Sequence, residues 1–449
     1  MRDLAISIIV FGMVPLVLAR PYFGVYLWSW LSYMNPHRLA FGFAMNFPFS
    51  QVTAVALALG AIFSKEKQSL PLSPATITWM LLLLLMVVST IFSTTPDDAW
   101  PQLEKVLKIQ FGTLMTLLLI SDRQKLHTLV WVIALSMGFF GFKGGVFAAS
   151  AGEGGGLVWG PPGTFIEGNN ELALALLVTI PLMRFLHQQS KDKLVQFGLL
   201  VLIGLSLMSV AGSYSRGAFL ASASMLLFLW WKGTSRLVSG VAGAAVVAVI
   251  LSLMPAAWWD RMGTIETYDD DASAMGRFDA WQTAIGMANH RILGGGFEAF
   301  TPENFAKYGG GADLARDVHS IYFEILGEHG YIALALFLCL WIFAWRSGSW
   351  VLRQARNDER LAWHASLARM AQVSIIAYMT GGAFLGLAYF DLPYHILCIL
   401  VLVKRLAEQQ VASAATAPTA IPPAIAPANS AAARGSSPVA TRPQTPRSR

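Results

Sequence analysis

The chain has little charge and almost no cysteine. Charged side chains make up 13% of its 449 residues and hydrophobic side chains make up 55%, and the mean hydropathy is +0.54. This composition excludes a set of soluble domains and indicates a polytopic membrane protein. Both cysteines, Cys339 and Cys398, lie inside apolar runs, so no disulfide is expected between them.

Other signals are absent as well. The net charge of +6 does not indicate nucleic-acid binding, because the basic residues lie mostly in short turns between apolar runs. There is no internal repeat, which disfavours a secondary transporter built from two related halves. The triplet Gly294–Gly296 lacks the strand–helix context of a nucleotide loop and is typical of a tight turn or a close backbone approach.

The apolar runs predict an all-α polytopic fold with about twelve transmembrane helices. Runs long enough to cross a bilayer lie near residues 5–19, 47–63, 76–93, 103–120, 126–147, 171–187, 194–210, 217–231, 236–254, 321–345, 366–386 and 389–404. The run Tyr22–Met34 is shorter and rich in Trp and Tyr, so it is predicted to be a half-helix or an interfacial helix.

Basic residues predict the orientation. They occupy alternate connections, at Lys65 and Lys67, Arg123 and Lys125, Lys191 and Lys193, Lys232 and Arg236, and along Arg346–Arg360. The positive-inside rule places these connections, and with them both termini, in the cytoplasm. The long polar segment Pro255–Ser320 then lies in the periplasm of a Gram-negative cell.

Three regions follow from this pattern. Residues 1–165 are predicted to form N-terminal transmembrane helices, and residues 166–410 a core that includes the periplasmic loop 255–320. Residues 411–449 are rich in Ala, Pro, Ser and Thr, a composition that predicts a disordered cytoplasmic tail. A membrane protein needs only short turns between its spans, so the long loop indicates a functional site.

Two arginines are candidates for binding an anion. Arg216 lies between two apolar runs, beside small residues that leave room for a bulky anion and backbone N–H groups that bind one. The alternative is an interfacial arginine that extends to lipid headgroups. Arg277 follows the acidic run Asp269–Asp271, and a salt bridge to that run is an equally good interpretation. The run itself is predicted to be a plain acidic loop rather than a metal site.

His319 is the candidate general base. It precedes the span that follows the long loop, and histidine is the side chain best suited to accept a proton near neutral pH. Tyr322 and Glu324 follow it closely and are candidate substrate-binding residues. A carboxylate within a span is a functional candidate, although pairing with an arginine explains it equally well.

Further candidate substrate-binding residues lie on the same predicted side. They are Tyr214, Ser215, Lys143, Asn169, Asn170 and Arg291. Asn169 and Asn170 either cap the helix that follows or contact a sugar. Lys143 is an unusual charge at the outer end of a span, and Arg291 is a weaker candidate. No metal and no cofactor is expected.

The ordered motifs resemble the O-antigen ligase and polymerase family. They are SRGAFLA at Ser215–Ala221, SAMGRFDAW at Ser273–Trp281, GGGFEAF at Gly294–Phe300 and HSIYFEILGEHGYIAL at His319–Leu334. The resemblance covers roughly residues 165–400. The opening, Ala19–Gln51, resembles the O-glycosylation ligases associated with exosortase systems.

The resemblance implies a glycosyltransferase of about twelve helices in the bacterial inner membrane, with its active site facing the periplasm. Its donor would be a glycan on undecaprenyl diphosphate, and its acceptor a sugar of the lipid A–core oligosaccharide. The family's arginines and histidine correspond to Arg216, Arg277 and His319, and the reaction is thought to need no metal. A polymerase and a protein O-glycosylation ligase are the alternatives, and a transporter ranks below them.

Overall fold

The computed structural model describes residues 1–65, 69–150, 156–232, 236–252, 254, 256–263, 272–309, 311 and 315–416. Three features discussed above lie outside these residues: Lys67, the acidic run Asp269–Asp271, and the tail from Ala417 onward. In the described part all regular secondary structure is helical, and no strand occurs there. The all-α prediction is therefore confirmed.

Sixteen α-helices follow one another through the described residues. They are α1 (Arg2–Ala19), α2 (Tyr22–Met34), α3 (Phe49–Phe63), α4 (Pro74–Ile91), α5 (Pro96–Leu119), α6 (Arg123–Ser150), α7 (Asn169–Gln189), α8 (Lys193–Ala211), α9 (Arg216–Lys232), α10 (Arg236–Ser252), α11 (Ala256–Gly263), α12 (Ala272–His290), α13 (Pro302–Tyr308), α14 (Ile321–Gln354), α15 (Ala362–Gly381) and α16 (Asp391–Thr416). Short 3₁₀ turns lie at Pro36–Leu39, Phe43–Met45, Glu359–Leu361 and Gly382–Phe384.

Each of the twelve apolar runs falls on one of these helices. Six helices of the described chain are long and apolar enough to cross a membrane: α1, α4, α6, α7, α8 and α14. Shorter apolar helices include α3 and most of α9. The described helices therefore form a multi-pass bundle, and the full count of twelve spans stays a prediction.

The basic connections lie together at one end of the bundle. The Arg123 guanidinium lies 4.8 Å from the ring centre of Trp363, at the start of α15. Arg405 on α16 donates to the Ser69 carbonyl, just before α4. We call this end the basic face, and the opposite end, where the described residues between α10 and α14 lie, the insert face.

The first three helices depart from the predicted orientation. Phe11 of α1 packs against Phe49 at the start of α3, with ring centres 6.2 Å apart. Near the other end of both helices, a Cβ built on Gly60 of α3 would lie 2.6 Å from the Val17 carbonyl oxygen of α1. Helices α1 and α3 therefore run parallel, and α2 runs back between them. The Tyr26 hydroxyl of α2 donates to the Lys125 carbonyl at the basic face.

Two predictions are corrected by this arrangement. The segment Tyr22–Met34, predicted to be a half-helix or an interfacial helix, is a helix of 13 residues packed among other helices. It runs from the basic face towards the insert face, where Ser32 donates to Asp391. Helix α1 begins on the insert face, since Asp3 accepts hydrogen bonds from the backbone of Gly42 and Ala44, so the N-terminus does not lie at the basic face. A helix enclosed by other helices need not have the length that a lipid-exposed span requires.

Helix α6 packs on α8 through glycines. A Cβ at Gly145 would overlap the Leu205 carbonyl oxygen, and a Cβ at Gly141 would overlap the Ser206 hydroxyl. Small residues let two helix backbones approach closely, which is how membrane helices gain packing energy. This contact fixes the end of α8 and, with it, the turn that leads to Arg216.

Helix α14 is interrupted at Gly330, whose backbone is non-helical (φ 80°, ψ −179°). A Cβ there would overlap the Ile292 carbonyl oxygen. The Gly295 and Gly296 N–H groups donate to the carbonyls of Gly327 and Glu328, both at 2.8 Å. The close backbone approach predicted for the glycine triplet is therefore confirmed, and it fastens the insert to the break in α14.

Candidate functional site

Four segments meet on the insert face. They are the N-terminus of α7, the turn between α8 and α9, the extended segment 315–320, and the loop 385–390. The Asn169 side chain donates to the Ser213 carbonyl at 2.7 Å, so it joins the first two segments instead of capping its own helix. A Cβ built on Gly386 would lie 3.6 Å from Asp317 Oδ1, so the last two segments are also in contact, and the Ala388 N–H donates to Glu324 Oε2 of α14 at 3.2 Å.

His319 lies in the extended segment with a left-handed backbone (φ 41°). Its Nδ1 lies 3.6 Å from Asp317 Oδ2, and its side chain is 38% exposed. The neighbouring Val318 is buried, and its carbonyl accepts a hydrogen bond from the Trp281 indole at 3.0 Å. The segment is thus held in place while the imidazole stays accessible to a substrate.

Arg277 and His319 lie near the same carboxylate. The side chains of His319, Asp317 and Arg277 are within electrostatic range of the Glu171 carboxyl group, in the first turn of α7. Arg277 is half-buried on α12. The structure therefore brings two of the three predicted catalytic residues to one place, and adds Glu171 and Asp317.

Arg216 is the first residue of α9. Ser215 caps this helix, because its hydroxyl accepts the Ala218 N–H at 3.1 Å. Tyr214 has a left-handed backbone (φ 55°) and is buried against Trp258 and two methionines. A helix N-terminus and a guanidinium are both positive, so their coincidence at Arg216 favours an anion at this point.

Glu324 faces Asp317 across the loop 385–390. Gly386 lies between the two carboxylates: a Cβ built on this glycine would be 3.6 Å from Asp317 Oδ1 and 3.6 Å from Glu324 Oε2. Tyr322, by contrast, donates its hydroxyl to the Met379 carbonyl at 2.7 Å and so ties α14 to α15. Glu324 thus belongs to the group around His319, whereas the described contact of Tyr322 is structural.

Three other candidates occupy different positions. Arg291 donates from Nε to the Gly294 carbonyl at 2.8 Å and from Nη2 to the Phe92 carbonyl, so it supports the glycine triplet. Lys143 is exposed on α6 about two turns before its end, beside the exposed Phe142. Asn170 is half-buried in the first turn of α7. Substrate contact by these residues stays a prediction.

A buried polar network lies directly beneath the site. Glu328 Oε1 accepts the Glu298 N–H at 2.8 Å, and its Oε2 accepts the Tyr389 hydroxyl. The Tyr389 hydroxyl also lies 3.0 Å from His329 Nε2, and His329 Nδ1 lies 2.6 Å from the Ser89 hydroxyl. The His329 ring is fully buried and both of its nitrogens have partners, so its described contacts are structural. The adjacent Glu and His before Gly330 were the signal for this network.

The described residues contain no group of three or more His, Cys, Asp or Glu side chains placed to hold a metal ion.

The fold and site define a multi-pass helical membrane protein with a polar site at one end of its bundle. Residues 199–338 match the model of the O-antigen ligase family. The predicted resemblance is confirmed for this part of the chain, which contains Arg216, Arg277 and His319.

The N-terminal part has a separate relationship. Residues 1–191 match the model of a family of unknown function. A comparison with curated proteins finds no match. The predicted resemblance of Ala19–Gln51 to O-glycosylation ligases stays a prediction.

Proposed function

We propose that the protein is a glycosyltransferase that moves a glycan from undecaprenyl diphosphate to a sugar of the lipid A–core oligosaccharide. The site would face the periplasm from the inner membrane, with about twelve spans as its scaffold. One observation carries the proposal: the segment that matches the O-antigen ligase family holds Arg216, Arg277 and His319, and the His319 ring lies 3.6 Å from the Asp317 carboxylate.

The arginines would bind the donor diphosphate. A guanidinium matches phosphate oxygens with a planar fork, and Arg216 adds its charge to the N-terminus of α9. As the glycosidic bond breaks, negative charge builds on the departing diphosphate, and two fixed cations stabilise it most at that stage. In this proposal they do the work that a metal ion does elsewhere, so neither metal nor cofactor is needed.

His319 would accept the proton of the attacking hydroxyl. The acceptor oxygen forms a bond to the anomeric carbon, the bond from that carbon to the diphosphate oxygen breaks, and the hydroxyl proton passes to the imidazole. Asp317, 3.6 Å from Nδ1, would orient the ring and stabilise its protonated form. Attack from the face opposite the diphosphate inverts the anomeric centre.

The test is transfer in vitro, with purified protein, lipid-linked glycan and lipid A–core acceptor. Replacing His319 with Ala should lower turnover by roughly 10²–10⁴-fold, the usual contribution of a general base, while donor binding changes little. Full activity in His319→Gln, which can still form hydrogen bonds, would reduce His319 to a structural residue. A second lipid-linked glycan or a protein offered as acceptor would reveal a polymerase or a protein O-glycosylation ligase.

A further inference from the structure

An open cavity of about 540 Å³ lies on the insert face, between the start of α5 and the segment 298–302. Its walls include Asp98, Gln102, Lys105, Glu298, Phe300 and Thr301. Its volume is within the ~300–1,000 Å³ of pockets that hold a ligand of drug size, which is also the size of a short oligosaccharide.

The two walls come from different parts of the chain. Asp98, Gln102 and Lys105 lie in the segment that matches a family of unknown function, and Glu298 and Phe300 lie in the O-antigen ligase segment. The cavity is therefore built where the two matched segments meet.

The walls are fastened to one another. The Thr94 N–H donates to the Gly295 carbonyl at 2.7 Å, and the Asn304 side chain donates to Thr94 Oγ1 at 3.0 Å. The Thr95 hydroxyl donates to the Phe297 carbonyl at 3.3 Å. A cavity held in this way is formed before its ligand arrives, which is usual for binding sites.

The lining suits a sugar. Each sugar hydroxyl both donates and accepts, and the cavity offers carboxylates that accept, a lysine that donates and an amide that does both. Phe300 adds an apolar ring on which the C–H face of a sugar can lie. Two carboxylates repel phosphate, so the diphosphate of the donor is a poor occupant.

The cavity also connects to the site. The tip of the Phe300 ring touches Gly327 of α14, between Glu324 and Glu328. Glu298 in the wall, which has a left-handed backbone (φ 55°), donates its N–H to Glu328 Oε1 at 2.8 Å, one turn of α14 after Glu324, the residue that faces Asp317. A glycan seated against Glu298 would therefore extend towards the base.

We infer that this cavity is the acceptor subsite and that it binds the outer sugars of an acceptor glycan through their hydroxyl groups. The inference rests on the proposed function, and it specifies which part of the chain selects the acceptor. The N-terminal segment thus contributes to specificity as well as to the scaffold.

The experiment uses the full chain in detergent micelles and, as probe, the core oligosaccharide released by mild acid from the lipopolysaccharide of the source bacterium. Saturation-transfer NMR reports binding, and the transfer assay reports the acceptor KM at fixed donor. Gln102→Ala and Glu298→Gln should each raise the acceptor KM by about tenfold, the effect of losing a hydrogen bond to a charged or polar partner, and should leave donor binding unchanged. Both variants should also lose saturation transfer to the oligosaccharide.

Matched controls lie on the same helix. Asp97→Asn alters the neighbouring carboxylate in the first turn of α5, and Glu104→Gln alters an exposed carboxylate that pairs with Lys108. Neither residue lines the cavity, and both variants should retain the wild-type KM. If the acceptor KM rose as much in these controls as in the cavity variants, it would depend on the overall charge of α5 and not on the cavity lining. That result would overturn the inference.

The remaining outcomes separate the two proposals. Wild-type transfer with an unchanged KM in Gln102→Ala and Glu298→Gln would overturn the cavity inference and leave the proposed function intact. Oligosaccharide binding that both variants abolish, without any transfer from undecaprenyl diphosphate, would support the cavity and overturn the function. Saturation transfer to a Ser- and Thr-rich peptide but not to the oligosaccharide would overturn the sugar assignment.

Discussion

The Nδ1 atom of His319 lies 3.6 Å from the Asp317 carboxylate, and the two residues share the short extended segment before α14. The His319 N–H also points to Asp317 Oδ1, at 3.4 Å. One carboxylate therefore organises both the backbone and the ring of the candidate base. This arrangement explains how a histidine with a left-handed backbone is held in one orientation.

Replacing Asp317 with Asn should keep the shape of the segment and remove the charge that stabilises a protonated imidazole. We expect turnover to fall by less than the roughly 10²–10⁴-fold attributed to the base itself, with donor binding unchanged. Single-turnover kinetics beside donor binding measures this, with Asp279→Asn on α12 as the control. Turnover equal to wild type would separate Asp317 from the chemistry.

Arg216→Lys should fail nearly as badly as Arg216→Ala, because an ammonium retains the charge but lacks the fork that matches two phosphate oxygens. The measurement is donor binding and transfer at matched expression. Arg184→Lys, near the basic-face end of α7, is the control and should behave as wild type. Normal transfer by Arg216→Ala would reduce this residue to an anchor at the membrane interface.

Transfer should persist in excess EDTA, because in the proposed mechanism Arg216 and Arg277 stabilise the departing diphosphate where other enzymes use a metal ion. The purified protein is assayed before and after chelation and again after magnesium or manganese is added. Activity that is lost in EDTA and restored by the ion would contradict diphosphate binding by the two arginines alone. It would indicate a metal site at Asp269–Asp271.

The start of α1 should be accessible from the same side as the insert. Single cysteines at Arg2 and Glu303, both exposed, should react in intact cells with a maleimide that cannot cross membranes, in a chain whose Cys339 and Cys398 are replaced. A cysteine at Lys191 should react only after the cells are opened. Protection of the Arg2 site in intact cells would restore the predicted cytoplasmic N-terminus.

The sequence predicted the helices well because hydropathy is a local property. Each of the twelve apolar runs lies on a helix, and the glycine triplet makes the close approach expected of it. The direction of α2 was not predictable in the same way. It depends on the helices that enclose the segment, such as α6 with Lys125, and no local pattern records them.

The candidate site also combines residues that the local sequence reveals with residues that only the folded chain brings together. Arg277 and His319 stood out because charge is rare in this chain, and the structure places both within electrostatic range of Glu171. Glu171 and Asp317 were not among the residues predicted for the site. Their roles arise from segments far apart in the chain, as does the pairing of Glu328 with Tyr389.

The break at Gly330 also has a consequence for the membrane itself. A straight helix of 34 residues would be about 51 Å long, well beyond a hydrocarbon core of ~30 Å. Glu324 and Glu328 both precede the break, in the part of α14 that the Gly295 and Gly296 N–H groups fasten to the insert. Because the break separates the two parts, the apolar run after Gly330 can match the hydrocarbon core while the carboxylates before it stay packed in protein.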